Sequence, residues 1–305
     1  MRFANFEGGI GLEFRGIMGG FYRISEWIMR LSVINVLWIV CGIPFFFLGL
    51  GLLQSQTPEQ VFSNFVLMAA IAPFTVFPST SAMFSVARKW LTGEEDAPLF
   101  KTFFKSYKQN YLQSMLGGLV YIVLAVVLYT NFRFYGGQTG TLGILRFLVL
   151  SLSVLLFISL FHFFSILSHL HMKLLQIVKN AFLITIGSPA RSLSMVVLNG
   201  IILYVSFTKF TFLIPFFMGS LIAIVSFWHF NLIFGKMQDQ QQKLAEKEAE
   251  REEASEEGKE AEETAAVLPD GERNRDIDRA AEDREGRDAE PAAAERNASP
   301  DEERK

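Results

Sequence analysis

Ile144-Leu-Arg-Phe-Leu-Val-Leu-Ser-Leu-Ser-Val-Leu-Leu-Phe-Ile-Ser-Leu-Phe-His-Phe-Phe-Ser-Ile166 carries one charge, Arg146, at its very start. As a helix it rises about 35 Å, enough to cross a hydrocarbon core of about 30 Å. Inside that core every backbone N–H and C=O must be paired within the segment, which a helix does. The same test applied outward finds further spans at 31–53, 62–84, 112–131, 192–208 and 211–234. Only Lys209 and its neighbours separate the last two. They read as a tight hairpin with Pro215 near the start of the second arm, and one long broken helix is the alternative. The sequence thus predicts an all-α membrane protein with about six transmembrane helices, or five on the alternative.

The whole chain of 305 residues has a formal charge of −3, which conceals two unlike parts. Residues 1–235 hold 15 Lys and Arg against 7 Asp and Glu, whereas 236–305 hold 13 against 24. The division predicts a helical transmembrane domain over 1–235 and a charged cytoplasmic tail over 236–305. This composition argues against a soluble enzyme, a disulfide scaffold and a nucleic-acid binder. The single cysteine, Cys41, cannot form an intramolecular bridge. Lys and Arg are dense before span 1, absent from 54–60, dense over 88–108, sparse near 133, dense over 173–191 and sparse at 209. Cytoplasmic loops carry such an excess, so both termini are expected in the cytoplasm of a cell-membrane protein. Glu7, Glu13 and Arg15 interrupt the first twenty residues, and span 1 is expected to stay as an anchor rather than be cleaved. The acidic tail from Gln238 has the composition of disorder, with transient helix expected over 238–266 and no fixed structure after Pro269 and Gly271. Its plain reading is a solvated tail, and the sharper one is an interaction arm.

Between spans 2 and 3 the chain reads Arg88-Lys-Trp-Leu-Thr-Gly-Glu-Glu-Asp-Ala-Pro98 and then Leu-Phe-Lys-Thr-Phe-Phe-Lys-Ser-Tyr-Lys-Gln-Asn-Tyr111. At 100° per residue, Phe100, Phe103, Phe104, Tyr107 and Tyr111 share one arc, with Lys101, Lys105 and Lys108 beside it. This predicts a short interfacial helix over 98–111, its aromatics buried and its lysines snorkelling to phosphates. It serves either as a tie between spans or as a docking helix, so Phe100, Phe103, Phe104, Lys101, Lys105 and Lys108 are the partner-docking candidates. In span 2, Pro73 and Pro78 disturb the helix, and Ser79 and Thr80 are suited to satisfy freed carbonyls. Asn35 lies at a similar depth in span 1, so its amide is expected to bond to this region. Asn35, Pro78, Ser79 and Thr80 are therefore the helix-packing candidates.

None of the seven body carboxylates falls mid-span, which lowers the weight of a proton- or sodium-coupled carrier. His162, His169, His171 and His229 lack a metal-binding spacing. No phosphate loop, nucleophile elbow or metalloprotease motif is present. The expectation is no enzyme activity, no catalytic or metal site and no cofactor.

Glu26-Trp-Ile28, Leu31 with Asn35-Val-Leu-Trp38, Pro78-Ser-Thr-Ser-Ala-Met-Phe84, Arg88-Lys-Trp90, Gly93-Glu-Glu-Asp96, Pro98-Leu-Phe-Lys-Thr-Phe-Phe104 and Lys108-Gln-Asn110 together resemble the YesL family, bacterial multi-pass membrane proteins of unknown function. The resemblance covers roughly residues 10–234 and leaves the acidic tail out. Family members are often encoded beside carbohydrate uptake systems of the ABC type. The resemblance therefore implies an accessory or regulatory role in carbohydrate transport, with ABC-type sugar transporter subunits as partners alongside the lipid bilayer. A transport subunit with its own path beside the span 2 kink, a membrane scaffold or sensor, and a homo-oligomer are the other readings.

Overall fold

The computed structural model describes residues 8–267, and every regular element among them is helical. In chain order these are α1 (Gly8–Cys41), α2 (Ile43–Leu53), α3 (Pro58–Ile71), a 3₁₀ turn (Ala72–Phe74), α4 (Val76–Leu91), α5 (Leu99–Gly136), α6 (Thr141–His169), α7 (Leu174–Gly187), α8 (Pro189–Thr208), a π turn (Ile214–Met218) and α9 (Gly219–Val267). Prolines decide many of the starts. Pro44, Pro58, Pro78 and Pro189 all sit in first turns, where a missing N–H has no intrahelical partner to lose. Thr57 caps α3 by accepting from the Gln60 amide at 3.3 Å.

Among the described residues five helices are long and apolar enough to cross a membrane, or six where the bent pair α3 and α4, 50° apart, counts as one span. Counted in that way the number equals the six expected, with α8 and α9 as separate arms. By length and apolarity the first candidate span is Gly20–Cys41. The Arg30 side chain indicates a different placement. Its guanidinium donates to the Glu95 carbonyl and pairs with Asp96 at 3.6 Å, in the polar loop between α4 and α5. A loop with such charges belongs at headgroup level, so the apolar crossing starts at Leu31. Leu31–Cys41 and α2 each rise about 16 Å, and together they cover the core. The crossing 31–53 is therefore made in two halves, broken at Gly42.

Two local readings differ from the sequence expectation. Residues 98–111 do not form a separate helix in the headgroup plane. They are the opening turns of the 38-residue α5, which runs on without interruption because nothing between Tyr111 and Gln113 breaks a helix. The segment between Lys173 and Arg191 is α7, packed through Ile177, Ala181, Ile184 and Thr185, rather than a loop. The helix described over 238–266 belongs to α9, which becomes densely charged after Gly235. The expectation for the chain beyond Pro269 falls outside the described residues.

The interior is filled by rings: Phe84, Phe103, Phe163, Phe227 and Phe230 are fully buried. Phe164 links Phe77 and Phe84 at 5.4 and 5.5 Å between centroids. Val123, Val126, Val127, Leu148 and Leu150 face outward, as helices solvated by lipid allow. Two glycines set how close the helices come. A Cβ at Gly117 would lie 2.2 Å from Phe163 Cζ, and one at Gly118 would lie 2.8 Å from Phe77 Cγ.

Candidate functional site

One side chain closes the helix interruption at the π turn. Asn35, on α1, is completely buried. Its Nδ2 donates to the carbonyls of Ile214 at 3.0 Å and Pro215 at 2.8 Å. Its Oδ1 accepts from the amides of Gly219 at 2.8 Å and Ser220 at 3.1 Å. The amide side chain thus spends both donors and both acceptor sites on the π turn. Pro215 supplies no amide to the ladder, and the wide turn separates its carbonyls from the next N–H groups. Asn35 bridges that gap as an extra peptide unit would.

The sequence placed Asn35 against Ser79 and Thr80, and the structure places it against the π turn instead. Trp38, one turn further along α1, makes the contact to α4: its Nε1 donates to Thr80 Oγ1 at 2.9 Å. Ser79 bonds locally to the Val76 carbonyl, and Pro78 and Ser79 are both buried in α4. Trp38 also stands edge-on to Phe46 across the α1–α2 break at 4.7 Å, and covers Gly219, whose added Cβ would lie 2.9 Å from the indole. Trp38 therefore links the α1–α2 break, α4 and the start of α9. Thr80→Val is expected to cost about 1 kcal/mol by orphaning the indole N–H. Thr80→Ser is expected to be nearly neutral, and thermal scans of the two variants in detergent check the pair.

Further polar contacts tie α5, α6, α8 and α9. His162 Nε2 meets Ser192 Oγ at 3.0 Å, Asn199 Nδ2 donates to Ser226 Oγ at 2.9 Å, and Tyr121 and Ser159 hydroxyls lie 3.1 Å apart. These are pairwise ties between helices. Among the described residues no cluster of three or more His, Cys, Asp or Glu side chains is arranged to hold a metal ion.

At the basic end α4 stops on Gly93, whose φ of +92° lets the Glu94 amide reach back to the Lys89 carbonyl at 2.8 Å. Lys89 Nζ then pairs with Glu94 at 2.6 Å. That hydrogen bond, with the Lys89 and Arg88 charges, holds the exposed Glu94 carboxyl below its ordinary range. A depressed carboxylate keeps its pairing above that range and loses it only as the pH falls through the lowered value, so the loop is intact at neutral pH. Arg30 donates to Glu26 and to the Glu95 carbonyl, and Trp27 packs edge-on to Trp90 at 5.4 Å.

Beyond this corner, the opening of α5 divides the aromatic arc. Phe103 is fully buried and Tyr107 packs against the core, while Phe100 and Phe104 remain 58% and 50% exposed. Lys101, Lys105 and Lys108 are exposed beside them. The docking candidates thus separate into an anchor, Phe103, and an outward face of two phenylalanines and three lysines. Sequence reasoning missed the Arg30 pairs and the π turn. The Glu26–Arg30 spacing of four was a legible signal for the first.

A family described as a protein of unknown function, DUF624, matches residues 31–132, which include Asn35, Trp38, Thr80, the Lys89–Glu94 pair and the α5 face. The uncharacterized protein YesV of Bacillus subtilis (strain 168) is 31% identical over 149 residues, covering 48% of this chain and 71% of YesV. The chain belongs to the YesL-like DUF624 family. Two more DUF624 relatives from the same organism extend the match: the uncharacterized proteins YteU, 29% identical over 231 residues, and YesL, 29% identical over 233 residues. Each covers 76% of this chain, and the matches take in 91% of YteU and 98% of YesL. No solved structure matches this DUF624 protein.

Proposed function

We propose that this multi-pass DUF624 protein is a non-enzymatic accessory or regulatory subunit of a carbohydrate uptake system of the ABC type. It lies in the cell membrane with both termini in the cytoplasm and docks through the outward face at the start of α5. The observation that carries the docking surface is the exposure of Phe100 and Phe104 beside Lys101, Lys105 and Lys108, while Phe103 anchors the same turns in the core. Exposed aromatics ringed by cations suit a partner with an apolar spot and an acidic rim. The carbohydrate setting comes from the family resemblance. The excess of Lys and Arg at this end supports the cytoplasmic orientation.

A transport subunit with its own path is the second reading, favoured by the interrupted crossings, since broken helices at mid-depth form substrate sites in transporters. Against it stands the filling of the interior by Phe163, Phe164, Phe227 and Phe230, and the complete use of the Asn35 amide by the π turn. The experiment is gentle crosslinking in native membranes, followed by isolation of the tagged protein. Co-isolation of ABC permease subunits is expected, with at least a tenfold loss when Lys101, Lys105 and Lys108 are changed to Glu. Isolation alone with sugar flux in reconstituted vesicles would replace this reading with the second. Association that survives charge reversal would remove the α5 face from it.

A further inference from the structure

Two contacts fix the register of α5 against α6. Gly117 meets Phe163, and the Tyr121 and Ser159 hydroxyls lie 3.1 Å apart, so a step forward on α5 matches an equal step back on α6. The two helices are therefore antiparallel, in keeping with the short connection 137–140. Toward that connection a groove of about 210 Å³ opens between them, and its lining includes Leu128, Tyr129, Phe132, Leu150, Ser153 and Leu156. Leu156 is a buried floor, while Tyr129, Phe132 and Leu150 are 54%, 40% and 48% exposed at the rim. The Ser153 hydroxyl is spent on the Val149 carbonyl at 2.8 Å, so the walls are apolar apart from Tyr129.

Continued in the same steps, the register brings Arg133 level with Phe147, the residue after Arg146. Arg133 lies one turn beyond Tyr129 and Arg146 one turn before Leu150, so both flank the mouth of the groove. They stand where the apolar runs of α5 and α6 reach their ends, at headgroup level. Both are exposed, and neither enters an ion pair among the described residues. Arg146 holds its guanidinium 4.8 Å from the centre of the Phe147 ring, which attracts the cation but offers no oxygen to its N–H fork.

Size and chemistry choose the occupant. Small-molecule pockets usually hold about 300–1,000 Å³ and carry several convergent polar groups. This groove is smaller and apolar, which suits a length of hydrocarbon chain and not a sugar. Two arginines without a carboxylate at its mouth suit a phosphate, whose oxygens match the planar fork. We propose that the α5–α6 groove seats one acyl chain of an anionic phospholipid, whose phosphate is held at its mouth by Arg133 and Arg146.

The full-length protein, purified in a neutral detergent, is mixed with equal amounts of phosphatidylglycerol and phosphatidylcholine and read by native mass spectrometry. Bound phosphatidylglycerol is expected to exceed phosphatidylcholine. The double variant Arg133→Gln with Arg146→Gln is expected to weaken its apparent affinity about tenfold, and Lys209→Gln, which removes a charge after α8, to leave it unchanged. Ser153→Phe fills the groove without altering charge and is expected to lower the occupancy of both lipids. Should these variants fail to fold, the unaltered protein is photolabelled with phosphatidylglycerol carrying a diazirine in one acyl chain, and labelled peptides are expected from α5 and α6 at the groove. Equal binding of the two lipids, labelling confined to other helices, or an affinity that falls as far for Lys209→Gln as for the double variant would overturn the site. A mass of two copies that Ser153→Phe returns to one would also overturn it, giving the groove to a second chain.

Discussion

Asn35→Leu is expected to lower the melting temperature of the detergent-solubilised protein by on the order of 10 °C, the largest effect of any single polar substitution in the bundle. Leucine matches asparagine in size but offers nothing to the carbonyls of Ile214 and Pro215 or the amides of Gly219 and Ser220. All four would be stranded where water does not reach. Each buried group left unpaired costs about 1–3 kcal/mol, so even partial relaxation leaves a penalty of about 3–5 kcal/mol. Asn35→Asp sharpens the test. A carboxylate still accepts from the two amides, but it sets its second oxygen against two carbonyls and places a charge in the core. It is expected to be no better than leucine at neutral pH. A melting temperature within a degree of the unaltered protein for both variants would mean that the π turn holds itself open without the amide. Gly219→Ala probes the same joint from the other side, since its methyl would meet both the Trp38 ring and Asn35 Oδ1.

The six crossings were legible because hydropathy and helix length bound the answer tightly, and the Lys and Arg alternation separated the last two arms. What the sequence could not say was which helix faces which. Asn35 was read as a polar group needing a mid-depth partner, which is correct. Depth alone, however, fits Ser79 and Thr80 as well as it fits Ile214–Ser220. Only the packing of α1 against the π turn decides between them, and that contact is 179 or more residues away in sequence. The opening of α5 failed for another reason. An arc of aromatics beside lysines has the same period whether the helix lies flat or continues into a span, and periodicity carries no sign of where the axis points. The α7 helix was hidden by its flanking Lys173 and Arg191, which read as loop charges. The spacing of Ile177, Ala181 and Ile184 was nevertheless helical.

The interrupted crossings and the filled interior need not conflict. A helix broken at mid-depth exposes carbonyls and amides, and in hydrocarbon those groups must find partners or a cavity. Here they find side chains: Asn35 at the π turn, and Thr75 at the α3–α4 bend, whose hydroxyl bonds the Ile71 carbonyl at 3.1 Å. Breaks closed in this way bend the bundle without opening a path, which suits a protein that presents a surface to a partner.

Packing at that interior yields the second large expected effect. Gly117→Val should disrupt the contact of α5 with α6, because even a Cβ would sit 2.2 Å from Phe163 Cζ. Phe163 has nowhere to swing. It is fully buried, with Tyr121 at 5.3 Å and Phe164 at 5.4 Å. Overpacking a filled core costs about 1–3 kcal/mol and often more, and here the branched side chain adds two methyls beyond the Cβ. A loss of monodisperse protein on size exclusion, or a fall in melting temperature comparable to Asn35→Leu, is expected. The double variant Gly117→Val with Phe163→Ala decides the cause. Removing the ring alone leaves a cavity worth about 3–5 kcal/mol, but the valine then fills part of it. The double variant should therefore be more stable than the two single losses add up to, with a coupling of at least about 1 kcal/mol. Strict additivity would mean that α5 and α6 do not meet at this pair. The close approach that the glycine permits would then have to be sought elsewhere along the two helices.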